Sequence, residues 1–190
     1  MLTYFDPKLQ DFEIVIVSEI TDSTSNYVLA GTENKTIALR PNSSCYLSTN
    51  DATYNITLAD SVSSIGLNQK NWLKITRVGT TFSRYSSLNG TDWTLQSTAE
   101  NSGSINPCIL NIGYYNYESN KSFIGKVYLK ECYVKINNQT VWSYEKSKSI
   151  HGMDINGDLL VNKGYGLIHN FSKTNWAKTT KFFSPSSNPW

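Results

Sequence analysis

The chain is short of most features that name a protein class outright. Its 190 residues include only three cysteines, Cys45, Cys108 and Cys132. An odd count without a Cys-x-x-Cys pair argues against a disulfide framework and against a zinc site. The three are therefore expected to be plain buried or half-buried thiols, as a reducing compartment would keep them. No apolar run approaches the roughly 20 residues of a membrane-crossing helix. The opening residues MLTYFDP lack the basic-then-apolar layout of a secretory leader. Seventeen Lys and Arg against fifteen Asp and Glu leave a formal charge of +2, and the lysines are spread along the chain. That balance carries no nucleic-acid footprint. No stretch sustains a 3.6-residue period, so long amphipathic helices are not expected. Ser147 to Gly152 has room for one helical turn at most.

What the chain does have is aromatic and polar. Aromatics make up 13% of it, with twelve tyrosines, and Asn, Ser and Thr are abundant. Such a mixture suits exposed strands and polar turns. The length is enough for one well-filled domain. Strand-like runs separated by turn residues recur at 13–20, 26–31, 35–40, 44–49, 54–59, 71–78, 81–88, 92–98, 108–115, 122–137, 139–145 and 158–164. Many alternate. Leu73 and Ile75 point one way, Lys74 and Thr76 the other. Ile14, Ile16 and Ile20 oppose Glu13 and Glu19. Alternation of this kind describes sheets with one buried and one solvated face. In the long run 122–137, Val127 and Leu129 have one parity, while Cys132, Val134 and Ile136 have the other. A bulge near Lys130 and Glu131 would bring both sets into one core. Asn89-Gly90 predicts a tight primed turn, and Asn137-Asn138-Gln139 a softer one. The N-x-S/T sequons, at Asn55 and Asn170 for example, are what so Asn-, Ser- and Thr-rich a chain produces by chance. These short strands at regular spacing predict an all-β, two-sheet sandwich.

Two longer stretches are more specific. NWLKITRVGTTFSRYSSLNGTDWTLQS opens a strand with Trp72, turns at Arg-x-Gly, and reaches Asn-Gly and Trp93. LNIGYYNYESNKSFIGKVYLKECYVKIN ends one strand with Ile-Gly and opens the next with Phe-x-Gly. In this order and spacing they resemble the concanavalin A-like jelly roll in its laminin G-like form. The resemblance is strongest over 71–137 and extends over 12–171. It implies an antiparallel two-sheet jelly-roll sandwich. Independently of it, Trp72 and Trp93 suit sheet edges, and Leu73, Ile75, Ile112, Phe123 and Val127 suit the core. Gly113 and Gly125 suit places where a side chain would crowd a crossing strand.

The two ends of the chain are alike. TYFDPKLQDF at 3–12 aligns without gaps on KFFSPSSNPW at 181–190, so that Phe5 meets Phe183, Pro7 meets Pro185 and Phe12 meets Trp190. Modules of phage tail proteins and related virion parts often open in this way. The expected division is a leading segment at 1–11, a sandwich at 12–171, and a terminal segment at 172–190 that starts another module. Aromatics at both ends are then expected to be covered by another domain, another virion subunit or another copy of the chain.

A sandwich of this kind can carry three kinds of site. Glucanases with this sandwich carry closely spaced glutamates. Glu13, Glu19, Glu100, Glu118, Glu131 and Glu145 do not have that spacing, and His151 and His169 stand alone. No enzyme is expected, and no catalytic residue is assigned. Laminin G-like modules often bind calcium at the rim, which the resemblance leaves possible. Asp154, Asn156 and Asp158 of DINGD are weak ligand candidates that read more simply as a turn, with Asp51 and Asp92 as other rim oxygens. A glycan needs an aromatic platform with amides and hydroxyls beside it. Tyr85, Asn89 and Trp93 form one candidate group, and Tyr114, Tyr115, Asn116 and Tyr117 another. The leading expectation is a non-enzymatic module of a virion, in a tail fibre, spike or capsid-decorating part, contacting other subunits and host surface glycan. A carbohydrate-binding module of a secreted bacterial protein is the alternative, with a glycoside hydrolase third. Neither nucleic acid nor membrane insertion is expected.

Overall fold

The structure is a computed structural model and describes residues 2–21, 28–32, 36–50, 53–60, 66–112, 125–143 and 158–161. Fourteen strands fall among them: β1 (Leu2–Phe5), β2 (Phe12–Ile20), β3 (Ala30–Gly31), β4 (Ile37–Leu39), β5 (Cys45–Leu47), β6 (Ile56–Leu58) and β7 (Lys70–Val78), followed by β8 (Thr81–Ser87), β9 (Thr94–Glu100), β10 (Cys108–Ile112), β11 (Gly125–Tyr128), β12 (Tyr133–Ile136), β13 (Gln139–Ser143) and β14 (Asp158–Val161). Every one of the twelve strand-like runs contains at least one of them. Only β1 lies outside those runs.

The strands form two antiparallel sheets. The first has the order β1-β10-β3-β4-β5-β6, and the second β13-β12-β2-β7-β8-β9. β11 and β12 lie successively along one side of β2, and β14 pairs with β11. The expected alternation is plain in β7, where buried and half-buried residues take turns from Lys70 to Arg77. Leu73, Ile75, Ile112 and Val127 are all in the core, at 3%, 0%, 2% and 0% exposure. Phe123 lies outside the described residues.

The run 122–137 solves its change of parity in another way than expected. A single 3-10 turn, Leu129–Glu131, separates β11 from β12, with no bulge in their pairing to β2. Val127, Leu129, Cys132 and Val134 all reach the core across it. The turn interrupts the ladder opposite Val17. The Val17 N–H donates instead to Cys132 Sγ at 3.3 Å, so a buried strand donor keeps a partner.

The turns also depart from expectation. β8 and β9 are joined by six residues, 88–93, and only Gly90 among them has positive φ, at 79°. The tight primed turn is instead at Asn137-Asn138, whose φ values are 48° and 62°. Asn89 is occupied otherwise: its Oδ1 accepts the N–H groups of Thr91 and Asp92, each at 2.9 Å, and so caps a wider loop.

The leading segment supplies part of the sandwich. β1 pairs with β10 in register Leu2↔Asn111 to Phe5↔Cys108. This turns Phe5 inward, fully buried, with its ring 5.2 Å from Phe12 and edge-on to it. Phe12 continues the row to Phe82 at 6.0 Å. The aromatics Phe5 and Phe12 are thus covered within their own domain, which corrects the expectation that they need outside cover. Residues 172–190 lie outside the described residues.

All three cysteines are free and buried, as their number suggested. Burial pushes the Cys132 thiol up to about 12, and also raises that of Cys45. A thiol held protonated is a poor nucleophile. The folded protein is therefore expected to react with a disulfide reagent at pH 8 at least a hundredfold more slowly than in 6 M guanidinium, where all three thiols react. Rapid release from one thiol in native buffer would show that its site is open.

Candidate functional site

Antiparallel strands place opposite residues on the same face of a sheet. With Leu73 and Ile75 directed inward, β7 turns Lys70, Trp72, Lys74 and Thr76 outward. Their partners on β2 are Glu19, Val17, Val15 and Glu13. On β8, Trp72 meets Ser87 and Lys74 meets Tyr85. Beyond β2, Lys126 lies opposite Glu19, Tyr133 opposite Val15 and Lys135 opposite Glu13. The outer face of the second sheet is therefore a lattice of aromatics, lysines and glutamates. Val15 and Val17 lie on this outer face but are only 2% and 0% exposed. They belong to a buried cluster against which Trp72, Tyr128 and Tyr133 pack.

The polar groups are tightly arranged. Lys70 pairs with Glu131 and lies over the rings of Trp72 and Tyr128, at 4.9 and 4.5 Å. Lys126 also lies over Tyr128, at 4.5 Å, and the Tyr128 hydroxyl donates to Glu19 at 2.6 Å. Lys135 bridges to Glu13 at 3.2 Å and lies 4.5 Å over Tyr133. Burial, then the hydrogen bond and charge of Glu13, push the Tyr133 phenol well above its usual range. Lys74 lies between two rings, 4.0 Å from Trp93 and 4.7 Å from Tyr85. Partial burial lowers its pKa, and Lys135 adds to that, while Glu13 opposes it.

The 88–93 loop packs onto this face. A Cβ added to Gly90 would come within 2.9 Å of Trp72 Nε1, so the glycine allows the backbone to rest on the indole. Ser87 Oγ accepts the Gly90 N–H at 2.9 Å, and Asn89 Nδ2 donates to Asp92 Oδ2 at 2.7 Å.

Of the expected ligand residues, Tyr85 and Trp93 come together around Lys74. Asn89 lies next to them, with its amide occupied within the loop. Tyr114, Tyr115, Asn116 and Tyr117 lie outside the described residues. Trp72, Tyr128 and Tyr133 were not anticipated as members. The period-2 pattern placed Trp72 and Lys74 on one face, but nothing local placed β11 and β12 beside it.

Glu13 and Glu19 do not have the spacing of a catalytic pair. Glu13 and Glu19 share a face of β2, but six residues at roughly 3.3 Å each separate them by about 20 Å. A glycosidase needs about 5–9.5 Å. Glu100 is exposed and accepts from Thr81 and Thr80, which holds it below the usual carboxylate range, opposite to a general acid. Glu118, Glu145, His151 and His169 lie outside the described residues. Calcium finds no cage among the described residues, where no three His, Cys, Asp or Glu side chains gather. Asp92 serves the loop, Asp158 opens β14, and Asp51, Asp154 and Asn156 lie outside the described residues.

No protein-family model and no curated protein matches the sequence. Solved structures do resemble the fold. Domains LG4-5 of the mouse laminin alpha1 chain superpose over 81% of this chain with a TM-score of 0.51 at 16% identity. The match covers 40% of that laminin chain. The CBM40 module of the Ruminococcus gnavus IT-sialidase, solved with alpha2,3 sialyllactose, matches 75% of this chain and 89% of its own, with a TM-score of 0.45 at 15% identity. The heptameric SAP-like pentraxin of Limulus polyphemus matches 77% of this chain and 73% of its own, with a TM-score of 0.45 at 14% identity. The architecture is the concanavalin A-like, laminin G-like jelly-roll sandwich. At these identities the likeness is one of fold.

Proposed function

We propose that the chain is a non-enzymatic binding module that takes host surface glycan on the outer face of its second sheet, as part of a virion tail fibre, spike or capsid decoration. One observation carries the binding reading: Trp72, Tyr85, Trp93, Tyr128 and Tyr133 stand together on a solvent face. Aromatic rings held on strands, and on a loop packed against them, offer sugar C–H groups a flat apolar platform with little left to order on binding. Hydroxyls and ammonium groups beside them supply hydrogen bonds. The separation of Glu13 from Glu19 supports binding without hydrolysis. The virion setting rests on the doubled aromatic-x-Pro segment at the two ends of the sequence.

A glycan array probed with the purified chain tests the binding. Trp93→Ala is expected to weaken the best ligand about thirtyfold, the scale of a central aromatic contact worth about 2 kcal/mol. Unchanged binding by both Trp93→Ala and Trp72→Ala would remove the face from the reading, and reducing-sugar release would remove the non-enzymatic part. Antibody against the chain should label purified particles, and particles without label would remove the virion part.

A further inference from the structure

We infer that the ligand is an anionic sugar whose acidic group sits on Lys74 between Tyr85 and Trp93. This deepens the glycan-binding reading and rests on it. The lysines of the face are not equivalent. Lys70 has Glu131, and Lys135 has Glu13 at 3.2 Å. Lys126 faces Glu19 across the β2–β11 ladder. Among the described residues, Lys74 has no carboxylate in ion-pair contact. Its partners are two ring faces, at 4.0 and 4.7 Å.

A ring attracts an ammonium group through its quadrupole but accepts its protons only weakly. Among the described residues nothing accepts the Lys74 N–H groups, in a site where partial burial works against the charge and Glu13 favours it from a distance. A carboxylate or sulfate placed there would form a short charge-assisted bond and restore the charge balance. Lys74 thus differs from Lys70 and Lys135, each of which has a carboxylate in contact. The pyranose ring carrying the acid would meet Trp93, and Leu95 extends the apolar edge. Leu95 is the register partner of Tyr85 and is 52% exposed. A neutral sugar could use the same rings but would leave the ammonium unanswered. A uronic or sialic acid and a sulfated sugar share the required chemistry.

Three oligosaccharides of equal length separate the outcomes: one bearing a carboxylate, one bearing a sulfate ester and one neutral. At 50 mM salt the intact chain is expected to bind at least one acidic probe ten times or more tightly than the neutral one, with the preference shrinking at 500 mM. Whichever acidic probe binds tighter identifies the acid. Lys74→Gln should erase the preference, with acidic-probe binding falling about tenfold further than neutral binding, and Lys74→Arg should keep it. Equal binding of all three probes by the intact chain, or a preference that survives Lys74→Gln, overturns the inference while the glycan reading stands. Absence of binding to every probe, matched by a silent array, brings down both.

Discussion

Replacing Arg84 with methionine is expected to destabilise the fold by about 3–5 kcal/mol. Arg84 is on β8, in the second sheet, and is fully buried. Its guanidinium reaches across to the first sheet. It pairs with Asp60, just past β6, at 3.3 Å, and donates to the carbonyls of Pro41 at 3.0 Å and of Ser43. Pro41 and Ser43 belong to the turn between β4 and β5. One side chain thus ties two parts of one sheet to the other. Methionine fills much of the volume but takes the guanidinium donor away from the half-buried Asp60 carboxylate and from two carbonyls. Removing one member of such a pair costs more than the pair contributes. Lysine keeps the charge but lacks the fork, and should recover only part of the loss. Urea unfolding followed by tryptophan fluorescence measures it. A loss under 1 kcal/mol would show that water replaces the guanidinium without penalty.

Phe5→Ala should cost a comparable amount, about 3–5 kcal/mol, the usual scale for emptying a buried phenylalanine site. Phe5 begins a row of rings through Phe12 to Phe82, at 5.2 and 6.0 Å. The row joins β1 of the first sheet to β2 and β8 of the second. β1 pairs with β10 at the edge of its sheet, and the buried Phe5 side chain anchors it to the core. The same unfolding measurement applies. A change below 1 kcal/mol would mean that β1 detaches and the rest of the sandwich closes without it.

The sequence alone determined the class of fold, because alternation is a local property. A strand with apolar residues at every second position must cover one face, and repeated strands of this kind need a second sheet to do so. It also determined the state of the thiols and the membership of Leu73, Ile75, Ile112 and Val127 in the core. Tyr85 and Trp93 were legible as ligand candidates because they flank one loop. The tertiary structure decided the rest, because alternation says which residues share a face of a strand and not which strand lies beside it. Register across β2 brought Tyr133 and Lys135 to the face that Trp72 and Lys74 occupy, and set glutamates of β2 opposite Lys70, Lys126 and Lys135 but Val15 opposite Lys74. At Leu129–Glu131 the chain makes a 3-10 turn, across which Val17 finds Cys132 Sγ, 115 residues away, as an acceptor. The Asn89-Gly90 loop rests on the Trp72 indole, a contact that nothing local announced. Arg84 shows the limit most clearly: as an isolated residue its charge assigns it to solvent, and only carbonyls and a carboxylate from the opposite sheet make its burial tolerable.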